Sequence, residues 1–414
     1  MPGATRPRAT AALRHRDFAL MWGGQIVSFV GNGVFTVALP LEALNLTGSS
    51  LDLGLVVGAR TVPTVAVLLV GGTVVDRMPR RLVMLASDCT CALAVTLVAV
   101  LITTGLATMW LLAALSAFFG LADAFFMPAS TAITADVLPP DALVSGSSLS
   151  SLSQSLGMFL LGPLAGGVVV AFTGTVWAFG VDAISFAVSA ACLAVMRPPR
   201  RIAAAGSSVL AGIREGLSYC RSQPWLWWSM AAVGWANFVS YVPLGVLEPL
   251  MVRQVFHAGA VTLGVMYSAS GVGGALASLI AGRLPAPRRP VLAIWAAWAG
   301  AGLAAVVLGA APWPWLAVIF AGLTWSGVTY GNVQWFPLIQ REVPTELLGR
   351  VSSVDWMLSL GLTPVGAAMA GIAATLIGAR LTLVIGGVAA AAAGGILLIP
   401  AVTEPDRRPA AMHV

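Results

Sequence analysis

Charged side chains are scarce in this sequence. They make up 9% of its 414 residues, whereas an average soluble domain has about 25%. Hydrophobic residues account for 58%, and the mean hydropathy is +0.91, an excess that a soluble core cannot bury. Several apolar runs reach the roughly 20 residues that a helix needs to cross a bilayer. The composition therefore predicts an all-α membrane protein, because the short alternating segments typical of a β-barrel do not occur.

Lysine is absent, so all 22 basic residues are arginine, and cysteine and histidine are rare. The four cysteines lack the spacing of metal ligands or disulfides. The three histidines lie in tails or in an outer loop, away from any pair of acids: His15, His257 and His413. Neither a nucleophile motif nor a phosphate-binding loop occurs. We therefore expect no enzyme, no cofactor and no metal site.

The net charge of +6 and the pI near 9.8 are not interpreted as nucleic-acid binding, because the arginines are divided among the loops instead of forming one basic face. With both termini in the cytoplasm, Arg253 and Arg380 lie in outer segments and Arg60 lies inside a span. The other arginines then fall on the cytoplasmic side, as the positive-inside rule requires. We therefore expect a multi-pass protein of the cell membrane with cytoplasmic termini.

Hydropathy and loop signals place about twelve helices in two sets of six. Related short patterns recur in the two sets, such as Leu53-Gly54 and Leu263-Gly264, which indicates a duplicated unit. We expect a cytoplasmic tail at 1–17, an N-terminal six-helix bundle at 18–196, a cytoplasmic connector at 197–222, a C-terminal six-helix bundle at 223–401 and a cytoplasmic tail at 402–414.

The loop between the second and third spans carries the most specific motif, Gly72-xxx-Asp76-Arg77-xx-Arg80 followed by a second arginine. It resembles the loop signature of the major facilitator superfamily, except that a methionine and a proline replace the usual glycine. The resemblance implies a cytoplasmic gate in which Asp76, Arg77 and Arg80 join Asp136 of the fourth helix. The alternative is that the arginines only anchor the loop. That alternative does not explain Asp76, because an aspartate has no role in topology.

The fifth span contains Gly162-Pro163-xx-Gly166-Gly167, which resembles the signature of proton-coupled antiporters in this superfamily. Its glycine face should pack closely on a neighbour, and its proline permits a bend. The resemblance extends over nearly the whole chain and is strongest to the branch of siderophore and multidrug exporters. It implies two pseudo-symmetric six-helix bundles with the substrate held between them. It also implies proton-coupled export of small amphipathic compounds by a monomer. An importer of a nutrient or siderophore on the same fold is the alternative.

Ionisable side chains inside spans are costly and are therefore functional candidates. We expect Asp123 to exchange protons, because burial favours the neutral carboxyl group; a purely structural acid is the alternative. Arg60 needs an anion, which Asp123, Glu42 or a substrate could supply. Glu42 and Glu248 lie at duplicated outer positions, where either could serve proton exit but snorkelling to the interface is favoured. Three further acids lie inside spans, the first two expected to stabilise packing: Asp88, Asp182 and Asp355.

The candidate substrate site combines a polar stripe with aromatic and amide groups. Four polar residues of the first span share one face, which should avoid lipid: Gln25, Ser28, Asn32 and Thr36. Further candidates come from the fourth, seventh and tenth spans: Phe126, Met127, Trp235, Phe238, Tyr241, Trp325, Asn332 and Gln334. We expect Trp235, Phe238 and Tyr241 to share a face. Five other tryptophans are expected to anchor the protein at the membrane interface: Trp225, Trp227, Trp228, Trp313 and Trp315.

Overall fold

The computed structural model describes residues 11–139, 142–197, 209–285, 287–344, 347–398, 402–403 and 405. Within these ranges, side chains are described except for 68–77, 144, 209–213 and 398. Residues 1–10 of the expected first tail, 198–208 of the connector and most of the last tail lie outside them. Every regular element in the described ranges is a helix, and twelve helical segments are long and apolar enough to cross a membrane. The all-α membrane architecture expected from the sequence is confirmed.

The first six spans contain seven α-helices. They are α1 (Arg16–Thr47), α2 (Ser50–Arg77), α3 (Arg80–Thr103), α4 (Met109–Val137), α5 (Leu143–Leu156), α6 (Gly162–Thr173) and α7 (Thr175–Val195). A π-helical turn at Gly157–Leu161 joins α5 to α6 within the fifth span. The proline of the glycine-rich motif follows directly, so the helix is interrupted where the sequence permits a bend.

The second half adds nine α-helices. They are α8 (Val209–Ser222), α9 (Pro224–Ala236), α10 (Leu244–Leu250), α11 (Ala260–Arg283), α12 (Pro290–Ala310), α13 (Pro314–Glu342), α14 (Leu348–Leu360), α15 (Thr363–Ile377) and α16 (Ala379–Ala392). The seventh span consists of α9 and α10 with π-helical turns at Asn237–Tyr241 and Met251–Val255. The eleventh span consists of α14 and α15. Of the α-helices in the described ranges, α8 alone lies outside the twelve spans. It falls in the expected connector and contacts α14 and α9.

The chain forms two compact units. Unit 1 lies within Met1–Thr47 and Ala59–Gly206, and unit 2 lies within Gly48–Gly58 and Ser207–Val414. The start of α2 belongs to unit 2 because it packs against α15. A Cβ atom on Gly54 would lie 2.7 Å from the carbonyl oxygen of Ala367, and one on Gly371 would lie 2.5 Å from that of Ser50. Small residues therefore permit this close backbone approach.

Unit 1 is built around α1, which contacts α4, α5, α6 and α7. Glycines bring the helix backbones together, as expected where helices pack in a membrane. A Cβ atom on Gly33 would lie 2.7 Å from the Cα atom of Gly162, and one on Gly166 would lie 2.8 Å from the Cα atom of Val34. Gly162, Pro163, Gly166 and Gly167 are all buried. The glycine-rich motif is thus the face with which α6 packs against α1.

One expected interfacial anchor belongs to a core instead. Trp225 is only 2% exposed, and its ring centroid lies 6.2 Å from that of Trp335 in an edge-on arrangement. The prediction that it anchors the protein at the interface is wrong, because α9 turns this side chain into unit 2. Trp228, Trp313 and Trp315 are exposed. Apolar pattern alone could not separate these two environments, since tryptophan suits both.

Candidate functional site

A charged pair joins α2 to α4 inside unit 1. The Arg60 guanidinium lies 4.0 Å from the Asp123 carboxylate, and the Asp123 side chain is 42% exposed. The helices approach closely here: a Cβ atom on Gly120 would overlap the carbonyl oxygen of Arg60, and the Thr64 hydroxyl donates to the Gly120 carbonyl at 3.3 Å. Glycine at 120 therefore allows the pair to form. Sequence analysis offered Asp123, Glu42 or a substrate as the anion for Arg60, and the structure pairs Arg60 with Asp123.

Two aromatic rings lie beside the arginine. Phe35 and Phe119 stack in parallel with their centroids 4.6 Å apart. The Arg60 Cζ atom lies 4.6 Å from the Phe119 centroid and 5.2 Å from that of Phe35. Aromatic faces attract cations within about 6 Å, so the rings stabilise the guanidinium alongside the carboxylate. The charge of Arg60 thus has two aromatic partners in addition to Asp123.

The polar stripe of α1 lies next to Asp123. Gln25, Ser28 and Asn32 are buried and line a cavity of about 20 Å³, which is room for about one water molecule. The Gln25 amide donates to the Ser130 hydroxyl of α4 at 2.6 Å. Asp123 also lines this cavity, together with Phe126 and Met127 of α4. In unit 1 the stripe is therefore a hydrogen-bonding surface against α4.

Thr36 lies one helical turn beyond the cavity. Its hydroxyl donates to the carbonyl of Asn32 at 2.9 Å, the local bond that threonine often makes within a helix. The Asn32 Oδ1 atom, in contrast, is buried without a hydrogen-bond partner among the described residues. Asn32 is therefore the member of the stripe with unused polar capacity, and a water molecule in the cavity could satisfy it.

Asp88 of α3 and Asp182 of α7 lie in the interior of unit 1, whereas the sequence indicated peripheral helices. Both are buried, and Asp88 lines the same small cavity as Asp123. The Ser185 hydroxyl lies 3.3 Å from the Asp182 carboxylate and 2.8 Å from the Asp182 backbone carbonyl, so it is shared between the two acceptors. In each acid, the Oδ2 atom is buried without a partner among the described side chains. The rule that acids inside membrane spans are commonly functional favoured a role for these two residues. Their positions on helices that are usually peripheral favoured a packing role instead.

Glu42 is not part of the Arg60–Asp123 pair. Its carboxylate accepts a 2.5 Å hydrogen bond from the Thr175 hydroxyl and a 3.5 Å bond from the Asn45 amide. Glu248, at the duplicated position in unit 2, is also buried. The expectation that these acids snorkel to the interface is wrong for both. The carboxylate of Glu42 stays inside because neighbouring polar groups satisfy it.

The expected cytoplasmic gate is described in part. The Arg80 guanidinium forms a 2.6 Å ion pair with Asp136 and donates to the Ala132 carbonyl at 3.0 Å. These contacts connect the start of α3 to the end of α4. Gly72, Asp76 and Arg77 lie on α2, but their side chains are outside the described residues.

Unit 2 contains a larger cavity of about 230 Å³. Three of the expected substrate residues line it: Tyr241, Trp325 and Asn332. Trp235 instead donates to the Ala389 carbonyl at 3.4 Å, and its ring contacts that of Phe238. The cavity lining includes neither of these two nor Gln334. The predicted shared face is wrong for Tyr241, because the π-helical turn at Asn237–Tyr241 shifts the helix register.

Three further tryptophans line this cavity and were not predicted from the sequence: Trp295, Trp298 and Trp356. Trp335 of the tenth span, an aromatic candidate beside Trp325, and the intramembrane acid Asp355 also line it. Trp295 and Trp298 come from α12, a helix that was assigned no functional role. Their spacing of three residues was the available signal, since it places both on one helix face.

Twelve apolar spans among the described residues, with buried acids and two cavities within the units, are typical of a polytopic membrane transporter. The chain belongs to the Major Facilitator Superfamily, whose family model matches residues 21–359. Members of this family are transporters and not enzymes. The relationship expected from the loop and glycine motifs is confirmed.

Two curated relatives are exporters. The enterobactin exporter EntS of Citrobacter koseri is 26% identical over 370 residues, covering 86% of this chain and 85% of that protein. The multidrug efflux pump Tap of Mycolicibacterium fortuitum is 32% identical over 263 residues, covering 60% of this chain and 62% of that protein. These relatives support transport of small molecules, in the direction of export, across a lipid bilayer.

Two solved structures share the fold. A bacterial homologue of the human lysosomal transporter Spinster has a TM-score of 0.67 at 15% identity, covering 99% of this chain and 100% of that one. The nucleoside transporter NupG has a TM-score of 0.73 at 12% identity, covering 92% of this chain and 99% of that one. At these identities the likeness shows the fold alone.

Proposed function

We propose that this protein exports small amphipathic compounds, such as drugs, natural products or siderophores, in exchange for protons by alternating access. It would act as a monomer in the cell membrane with both termini in the cytoplasm. Exporters among its relatives support the direction, and the distribution of arginines supports the orientation. Protons, lipid and a small-molecule substrate are the only partners that this activity requires.

The Arg60–Asp123 pair carries the proposal for proton coupling. Ionisable residues inside membrane spans are costly and commonly mark proton relays. The two groups are 4.0 Å apart, longer than a charge-assisted hydrogen bond of about 2.7–2.9 Å. The pair is thus loose, and the aromatic rings beside Arg60 offer it an alternative contact. A carboxylate in this setting can change partner without leaving an isolated cation in the membrane.

Protonation of Asp123 would remove its attraction for Arg60. If one conformation of the transporter favours the charged pair and another favours the neutral acid, proton binding shifts the balance between them. The same linkage requires that substrate binding changes proton affinity by an equal factor. In this scheme Asp123 holds the proton and Arg60 stabilises the deprotonated state. We assign Glu42 a secondary part, in proton release at the outer end of α1.

The gate residues complete the proposal. The ion pair of Arg80 with Asp136 would hold α3 against α4 on the cytoplasmic side, with Asp76 and Arg77 contributing from α2. We assign substrate contacts to the remaining polar and aromatic candidates in both units. The packing of α6 on α1 through Gly162 and Gly166 would keep unit 1 rigid as protons bind and leave.

An accumulation assay tests both the direction and the coupling. Cells expressing the protein would be loaded with a panel of fluorescent amphipathic compounds, and retention would be followed with and without an uncoupler. We expect lower retention than in empty-vector cells, and an uncoupler should abolish the difference. Higher retention in energised cells would instead identify an importer and contradict the proposal.

Substitution of Asp123 tests its role directly. In proteoliposomes, Asp123→Asn should abolish transport driven by a pH gradient while leaving substrate exchange without a gradient measurable. Asp123→Glu should retain part of the driven transport. Asp52→Asn, at the start of α2, is the matched control because it removes an acid away from Arg60. Undiminished driven transport in Asp123→Asn would exclude this residue from coupling.

A further inference from the structure

The cavity of unit 2 is bordered by a connected set of tryptophan rings. The Trp295 and Trp298 centroids are 5.1 Å apart with nearly perpendicular planes, and Trp298 lies 5.9 Å from Trp335. Trp325 and Trp356 add further rings to the lining. The volume of about 230 Å³ is slightly below the 300–1,000 Å³ typical of sites for drug-sized ligands. The cavity therefore fits a small ligand or one substituted end of a larger one.

Asp355 is the ionisable acid in this lining. It is only 6% exposed, and its carboxylate oxygens are each 3.3 Å from the indole Nε1 atom of Trp335. Those contacts are at the long end of hydrogen-bond distances. No arginine forms an ion pair with it among the described residues. A buried carboxylate has about four acceptor sites, so Asp355 retains capacity for a positively charged partner.

The polar groups of neighbouring side chains are mostly engaged within unit 2. The Asn237 amide donates to the Ser359 carbonyl at 2.9 Å, and the Tyr241 hydroxyl donates to the Trp298 carbonyl at 2.7 Å. The Trp295 Nε1 atom is the exception: it is buried and has no acceptor among the described residues. The cavity lining thus combines aromatic side chains with the Asp355 carboxylate and the Asn332 amide.

We propose that this cavity binds a small organic cation with aromatic or alkyl substituents, for which Asp355 is the counter-charge. The indole faces of Trp325 and Trp356, which are 36% and 44% exposed, would contact the cationic centre, as tryptophan is the best of the aromatic side chains for cation–π contact. The apolar substituents would fill the remaining space between the rings. An anionic ligand would be disfavoured, because it would be buried next to a carboxylate that has no cationic partner among the described residues.

This inference deepens the proposed function, since it names the class of compound that the exporter would carry. It rests on a different unit from the Asp123 pair and can be tested without a proton gradient. Nothing in the argument for coupling depends on Asp355. The binding experiment below therefore succeeds or fails independently of the export assay.

The test measures charge preference in the purified full-length protein. N-benzyltrimethylammonium would be titrated by calorimetry in a detergent with a neutral headgroup, beside its neutral isostere neopentylbenzene, in which carbon replaces the nitrogen. We expect the cation to bind at least tenfold more tightly than the isostere. Asp355→Asn should weaken cation binding at least tenfold and change isostere binding less than twofold. Equal affinity for the two compounds in the unmodified protein would overturn the proposal.

A matched control separates this effect from general damage to the fold. Asp182→Asn removes an equally buried acid from unit 1, and it should leave the affinity for the cation within twofold. The thermal midpoint of each variant would be measured first. If Asp355→Asn does not fold, Asp355→Glu keeps the charge one methylene further out, and it should retain the preference for the cation over the isostere. Loss of that preference with a normal thermal midpoint would count against the site.

A second series tests the aromatic faces. Trp356 is 44% exposed, and its ring lies 6.1 Å from that of Phe336, so its replacement should be tolerated. Affinity for the cation should fall from the unmodified protein to Trp356→Phe and again to Trp356→Leu. The leucine variant should bind the cation about three- to thirtyfold more weakly than the unmodified protein. Equal affinity in all three would overturn the aromatic contact and the proposal with it.

The two proposals fail in distinguishable ways. Loss of charge preference in the purified protein would remove the cation site and leave proton-coupled export, tested through Asp123, standing. Binding as described, combined with no gradient-driven transport in proteoliposomes, would support the cation site and remove the coupling mechanism.

Discussion

At the scale of the residue, the acids inside unit 1 differ in the groups that contact their carboxylates. Asp123 pairs loosely with Arg60, whereas the Asp182 carboxylate lies 3.3 Å from the Ser185 hydroxyl and Asp88 forms no ion pair in the described part of the chain. Glu42 is held by Thr175 at 2.5 Å. A neutral donor such as Thr175 stabilises a carboxylate without fixing a second charge in the membrane, whereas Asp88 and Asp182 each keep one buried oxygen without a partner among the described residues. Among these four acids, Asp123 is the one that lies within ion-pair distance of an arginine in the described part of the chain, and our proposal for proton coupling rests on this contrast.

The contact between Thr175 and Glu42 gives a prediction about stability. Thr175→Val keeps the shape of the side chain but removes the hydroxyl donor, leaving a buried carboxylate undersatisfied. We expect a loss of about 1–3 kcal/mol in the free energy of unfolding, measured by thermal or chemical unfolding in detergent. Thr175→Ser retains the donor and should recover most of this loss. Equal stability of the valine and serine variants would show that the hydrogen bond contributes little.

At the scale of the element, interruptions in the helices decide which side chains meet. The π-helical turn at Asn237–Tyr241 moves Tyr241 to the unit 2 cavity, while Trp235 contacts the carbonyl of Ala389. Such turns are often found at functional sites. The turn at Gly157–Leu161 likewise precedes the glycine-rich face of α6. A regular helical period applied to these spans therefore assigns faces incorrectly beyond each interruption.

The packing of α6 on α1 gives a prediction about close helix contact. Gly33→Ala would place a Cβ atom 2.7 Å from the Cα atom of Gly162 and 2.8 Å from the Pro163 ring. We expect the helices to separate, with a loss of about 1–3 kcal/mol in stability and reduced transport. Gly23→Ala, on the same helix, is the control because nothing lies within 4 Å of the added Cβ atom. The idea fails if the two variants have the same thermal midpoint and transport rate.

At the scale of the whole molecule, sequence reasoning predicted the helices better than their contacts. Long apolar runs separated by arginine-bearing loops were sufficient to predict twelve spans, because a bilayer imposes length and polarity on each segment separately. The partners of Asp182 and the inward rotation of Trp225 depend on how helices pack. The Asp355 cavity also depends on a helix interruption. Neither kind of information is present in the periodicity of a single segment.

Orientation in the membrane is a property of the whole chain that the arginine distribution predicts. If the termini are cytoplasmic, the turn after α3 is on the outer side and the end of α8 is on the inner side. Leu106 and Ser222 are exposed positions at these two places, so each can carry a reporter cysteine without disturbing a packed core. The four native cysteines would first be replaced by alanine.

A membrane-impermeant maleimide then distinguishes the two faces. In intact cells it should label Leu106→Cys and spare Ser222→Cys, and in inside-out vesicles the pattern should reverse. Permeabilised cells are the control, since both cysteines should react there to the same extent. Labelling of Ser222→Cys in intact cells would place the arginine-rich loops outside. It would also reverse the direction assigned to the proton gradient, because Asp123 would then face the opposite compartments in each step of the cycle.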